Sequence, residues 1–165
     1  MPPKTIIISI IVIFAVVTGL VFLFTLGQQP EPIAVSFSAQ EVDRPKAETA
    51  QTFFDMGEIN VSDVKQQDYT LKNAGTKPLQ ILNVNSSCGC TAGQIIYNGV
   101  TSKEYSMHAQ SGLVTEIAPG DTAILRLTYR PATMPVYGLV EREVYVTTND
   151  PVHQKLVFSI KAKVK

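Results

Sequence analysis

The sequence predicts an all-β protein: an antiparallel β-sandwich of about seven strands, preceded by one N-terminal transmembrane helix. Three observations predict it. From Thr52 to the C-terminus, apolar residues recur with a period of two in run after run. Turn-forming clusters separate the runs, as in "NAGTKP", "IAPGD" and "TNDP". The only long helical candidate is an uncharged N-terminal run; no amphipathic pattern of about ten or more residues occurs elsewhere.

That run, "TIIISIIVIFAVVTGLVFLFTL", extends from Thr5 to Leu26 without a charge. As a helix it is roughly 33 Å long, enough to cross the hydrocarbon core. A secretory signal has a shorter apolar region and an A-x-A-like cleavage site. "TLGQQ" fits that site poorly, and no cysteine follows for lipid attachment. Residues 1–27 therefore read as a signal anchor. Lys4 and the terminal amine are the only cationic groups before it, which keeps the N-terminus cytoplasmic and the rest on the extracytoplasmic side. Residues 28–51, with "QQPEP" and "DRPK", read as a tether, within which "IAVSFS" alternates weakly and is a candidate edge strand. Residues 52–165 form the sandwich domain.

Within the domain each strand announces its buried face. "DYTLKN" sets Tyr69 and Leu71 against Thr70 and Lys72, and "LQILNV" follows after the Gly75–Pro78 turn. After "IAPGD", Ala123, Leu125, Leu127 and Tyr129 share one face. "LVEREVYVTT" groups Val140, Val144 and Val146 opposite Glu141 and Glu143. "KLVFSIKAKV" turns Leu156, Phe158, Ile160, Ala162 and Val164 inward and Lys161 and Lys163 outward. The segment "VTSKEYSMHAQSGLVTE" is long for a hairpin connection, a place where function concentrates.

Composition excludes several function classes. The chain has 165 residues, one domain plus an extension. Charged residues are 17% and the formal net charge is zero, without basic blocks, so a nucleic-acid partner is not expected. No phosphate-cradling glycine loop is present: "NAGTKPLQ" lacks the spacing of a P-loop. Two histidines and scattered acids offer no hydrolytic constellation, so no enzyme is expected.

The strings "FFDMGEI", "YTLKNAGTKPLQILNVNSSCGCT", "IAPGD", "LRLTYRP", "GLVEREVYVTTNDP" and "LVFSIKAKV" occur in this order. Together, over about residues 52–164, they resemble the bacterial domain of unknown function 1573 family. The resemblance implies an immunoglobulin-type sandwich related to major sperm protein and ASH-type domains, placed in the bacterial envelope. It implies no activity.

Both cysteines lie in "NSSCGCTAG", and four readings stay open. As soft thiolates on one glycine-permitted bend, Cys88 and Cys90 suit Cu(I) or Zn(II). Met107 and His108 on the long loop would complete such a site, with Met134 a further soft candidate; this ligand supply points to copper rather than structural zinc. As a C-x-C disulfide, the pair closes a small, strained and easily reduced ring, though the helix that activates a C-x-x-C thiol is missing. As thiols, they are able to crosslink chains. As small hydrophobes, they simply shape a strand-end bend. Asn149 and Asp150 read as turn formers, Asn73 as a strand-end turn residue, and His153 as a solvated loop histidine. Tyr97, Tyr105 and Tyr137 read as sandwich packing, with a sticky aromatic patch as the alternative. The expected function is a membrane-anchored extracytoplasmic module that binds other envelope proteins. Soft-metal (copper) binding or thiol redox at the CGC motif is the alternative.

Overall fold

A computed structural model describes residues 3–26, 34–109 and 112–165. They fall into two compact units, Met1–Ile33 and Ala34–Lys165.

The first unit is the helix α1, Pro3–Leu26. Its side chains from Ile7 to Leu23 are exposed and almost all apolar. Thr18 donates its hydroxyl to the Phe14 carbonyl at 2.8 Å, so this polar group is satisfied within the helix. Among the described residues no helix is long and apolar enough to cross a membrane. The transmembrane span expected over residues 1–27 is thus not shown.

The second unit is the expected sandwich. Its strands are β1 (Ala47–Glu48), β2 (Phe53–Ile59), β3 (Lys65–Asn73), β4 (Leu79–Ser86), β5 (Thr91–Tyr97), β6 (Val100–Thr101), β7 (Thr115–Ile117), β8 (Thr122–Tyr129), β9 (Gly138–Thr148) and β10 (Lys155–Val164). They form two sheets, in the orders β1-β3-β8-β5-β6 and β2-β10-β9-β4-β7. All pairs are antiparallel except β2 with β10, which run parallel. The exception has a simple cause. The chain pairs with β3 in the first sheet at β1, then crosses within a few residues to the free edge of the second, where it runs alongside β10.

The period of two decides the core. Tyr69, Leu71, Leu125, Leu127, Tyr129, Val144, Val146, Phe158 and Ile160 are all buried between the sheets, each large aliphatic or aromatic side chain contributing about 1.5–3 kcal/mol. The two sheets pack tightly at Gly93 of β5. A Cβ there would lie 2.6 Å from Val144 Cγ1 and 2.9 Å from Val84 Cγ1, both in the opposite sheet.

Residues 34–51, expected within the tether, lie in the compact unit. "IAVSFS" forms no strand over residues 34–38, its Ile33 lying outside the described residues, but the Val35 N–H donates to Gln80 Oε1 at 2.9 Å. The principal clamp is Asp150. Its fully buried carboxylate accepts from Arg44 Nη1 at 2.8 Å, from the Ala47 N–H at 2.9 Å and from the Val152 N–H at 3.0 Å. Its Oδ2 also lies 3.1 Å from His153 Nδ1. Asp150 is therefore more than a turn former, and His153, though half-exposed, is partnered. Asn73 is likewise a buried junction, donating to the Lys77 carbonyl at 2.8 Å and the Ile117 carbonyl at 2.9 Å.

Removing one partner of a buried ion pair strands the other, so Asp150→Ala should lower unfolding stability by about 3 kcal/mol in urea titrations. Burial pushes the Asp150 carboxyl up, but the Ala47 and Val152 N–H groups and His153 outweigh it, and the group sits below its ordinary value of 3.8. Its ionised form then stabilises the fold in full above that value, and this part is lost as pH falls from there through the lower folded pKa. Asp150→Asn should flatten the acid limb of the stability curve. Gly93→Ala should cost about 1–3 kcal/mol through overpacking against Val84 and Val144, read as a fall in Tm.

Candidate functional site

The chain passes from the second sheet to the first at Ser87–Cys90, between β4 and β5. Small residues make the passage tight. The Ser86 hydroxyl donates to the Cys88 carbonyl at 2.8 Å and to the Thr91 carbonyl at 2.7 Å. Ser87 is laced to β9: its N–H donates to the Glu143 carbonyl, and its hydroxyl accepts from the Glu143 N–H, each at 3.0 Å. The Cys90 carbonyl accepts from the Arg130 N–H at 2.8 Å.

Within this frame Cys88 and Cys90 are joined in a disulfide, and the chain has no free cysteine. The two sulfurs differ in surroundings. Cys90 is buried, whereas Cys88 is partly exposed. Cys88 Sγ lies 3.3 Å from Thr91 Oγ1. Cys90 Sγ accepts from Arg142 Nε at 3.3 Å.

Arg142 is the residue that sequence reasoning missed. It shares the inward parity of Val140, Val144 and Val146 on β9, facing the other sheet at the end of the core. Its guanidinium lies over the Tyr129 ring, 5.9 Å from the centroid, and Nη1 donates to the Glu141 carbonyl at 2.8 Å. Among the described residues no carboxylate pairs with it. Burial raises the Tyr129 phenol above its ordinary value, and Arg142 pulls the other way. The Tyr129 hydroxyl is buried without a hydrogen-bond partner among the described residues. The signal in the sequence was a charge at an inward position of an otherwise apolar alternation, "VEREV".

The other candidates are dispersed. Met107 and His108 are exposed on the loop between β6 and β7, and neither hydrogen-bonds to the bend among the described residues. Met134 is the sulfur beside it, its Sδ 3.7 Å from where a Cβ on Gly89 would sit. Among the described residues no group of three or more His, Cys, Asp or Glu is placed to hold a metal ion. With both sulfurs bonded to each other, ligation by Cys88, Cys90, Met107 and His108 requires the reduced form. The three tyrosines separate as well: Tyr105 is buried, Tyr97 donates to Asp121 Oδ2 at 2.7 Å, and Tyr137 is 66% exposed.

Beyond Met134 the β8–β9 connection stays apolar and bare. Met134, Val136, Tyr137 and Leu139 are 50%, 46%, 66% and 65% exposed. Of these four side chains, Met134 reaches the bend.

Comparison with known proteins places the fold. Residues 47–107 match the family described as a protein of unknown function, DUF1573, the family that the sequence resembles. No curated protein matches the chain. A protein of unknown function from Porphyromonas gingivalis W83 is similar in structure, with a TM-score of 0.60 at 20% identity over 80% of this chain and 53% of that one. A family 123 glycoside hydrolase from Clostridium perfringens matches with a TM-score of 0.51 at 10% identity, over 68% of this chain and 22% of that one. The ASH / PapD-like domain of human CEP192 matches with a TM-score of 0.45 at 14% identity, over 81% of this chain and 97% of that one. The chain thus spans about half of the Porphyromonas structure and about a fifth of the glycoside hydrolase.

A bridge that closes a three-residue loop restricts the unfolded chain little, by ~1.6 kcal/mol on the chain-entropy model, against ~4.7 kcal/mol for a 100-residue loop. The disulfide is therefore not the staple of this fold. Cys88→Ser/Cys90→Ser should keep its far-ultraviolet circular dichroism and a cooperative melt, with Tm lower by only a few degrees. Loss of cooperative unfolding would show that the bridge is structural.

Proposed function

We propose that this protein is a membrane-anchored immunoglobulin-like module that binds other envelope proteins on the extracytoplasmic side, without enzymatic activity of its own. The observation that carries the reading is the bare apolar run at Met134, Val136, Tyr137 and Leu139. Soluble domains rarely leave contiguous apolar surface uncovered, and exposed aromatic and methionine side chains are typical of protein interfaces. The run sits on a connection held between two strands of a rigid sandwich, the usual position of a recognition loop.

Two further features support the location. The described side chains of α1 are apolar and outward-facing over residues 7–23, as suits a segment solvated by lipid. The cysteines are oxidised, as suits a compartment outside the cytoplasm. Copper binding by the reduced pair is the second reading, favoured by the approach of Met134 to the bend.

In the cell of origin, a photocrosslinker at residue 137 should capture a discrete envelope protein from the full-length chain. Replacing Val136, Tyr137 and Leu139 by Ser should abolish a crosslink placed at the exposed Met134 without lowering Tm by more than a few degrees. Persistence of the same partner in the triple variant would refute the assignment of this surface. Full-length protein should resist alkaline carbonate extraction, and protein lacking residues 1–27 should not.

A further inference from the structure

We infer that the Cys88–Cys90 disulfide is a thiol-exchange site that accepts electrons from a dithiol of a partner protein, with Cys88 as the attacked sulfur and Cys90 as the leaving one. The inference goes beyond binding and does not depend on the membrane anchor.

Three observations on the bend carry it. First, the two cysteines are unequal: Cys88 is partly exposed, while Cys90 is buried. Second, the buried sulfur already faces a cation. Arg142 Nε donates to Cys90 Sγ at 3.3 Å, and no carboxylate neutralises the guanidinium among the described residues. The guanidinium is only partly buried, and its Nε faces a sulfur that carries no charge while the bridge is closed. Cleavage of the bridge places a negative charge on that sulfur and completes a charge-assisted pair. Third, the bridge spans so short a loop that it adds little stability, so opening it leaves the sandwich standing.

The step balances as follows. A thiolate of the partner attacks Cys88 Sγ. A bond forms between the partner's sulfur and Cys88, the Cys88–Cys90 bond breaks, and its electron pair leaves on Cys90 as a thiolate beside Arg142. The partner's second thiolate then attacks its own first sulfur and expels Cys88, which takes a proton from solvent. The partner's dithiol is oxidised to a disulfide with loss of two electrons and two protons. The Cys88–Cys90 pair is reduced by those two electrons, one proton resting on Cys88 and the other in solvent. Each domain turns over one dithiol. The lower the basicity of the leaving sulfur, the faster the exchange, and Arg142 acts on that sulfur.

The test uses full-length protein in detergent micelles with dithiothreitol and glutathione as probes. Glutathione, a monothiol, should be trapped by acid quench as a mixed disulfide on Cys88, read by peptide mass mapping of the unmodified sequence. Arg142→Met should slow reduction by dithiothreitol about tenfold, while Arg142→Lys, which keeps the charge, should lose less than about threefold. An adduct on Cys90, or none on either cysteine, overturns the proposal whatever the variants do. So does an Arg142→Met rate equal to that of the unmodified protein. Because the mapping needs no substitution, a poorly folding arginine variant does not blunt the test.

Discussion

The sandwich depends on one carboxylate with no access to water. Asp150 sits at the turn between β9 and β10, yet two of its partners, Arg44 and the Ala47 N–H, belong to the segment that precedes β2. By holding that segment at the edge of the first sheet, it fixes where the chain crosses to the second. The crossing then makes β2 parallel to β10. A buried carboxylate is tolerable only when its lone pairs are all used, and here backbone and side-chain donors from two distant parts of the sequence use them.

A second crossing between the sheets holds the disulfide. The Ser87–Cys90 bend passes between sheets, so its side chains are brought to the mouth of the core rather than to an open surface. There an inward arginine of β9, an aromatic ring of β8 and the sulfur of Cys90 meet. The same meeting makes the two cysteines chemically unequal, although one glycine separates them in the chain. Beside them lies Met134, the first of the exposed apolar side chains between β8 and β9.

The structural likenesses fit this division between frame and site. At 20% identity the Porphyromonas protein shares the fold, and a segment of a glycoside hydrolase does so at 10%. A two-sheet frame is set by alternation and turns, which many sequences satisfy. What any copy of the frame does is decided by loops and by the few inward positions that break the apolar rule.

By itself the sequence determined the sandwich, the turns and the inward faces of β3, β8, β9 and β10, because burial of one face imposes a period of two that no other structure shares. It also singled out the cysteine bend and the uncharged N-terminal run. It did not reveal that Asp150 reaches back to Arg44, that Asn73 joins Lys77 to Ile117, or that His153 has a partner. The contacts of Asp150 with Arg44 and of Asn73 with Ile117 link residues far apart in the chain, and local pattern carries no information about them; the His153–Asp150 contact spans only three residues, but the folded turn decides where the ring sits. The pairing of Cys88 with Met107 and His108 rested on ligand type alone. Tertiary structure instead put Met134 and Arg142 at the bend, because crossing between sheets aligns β5 with the ends of β8 and β9. The arginine at an inward position of "VEREV" was visible as an exception, but only the packed sheets decided which atom it faces.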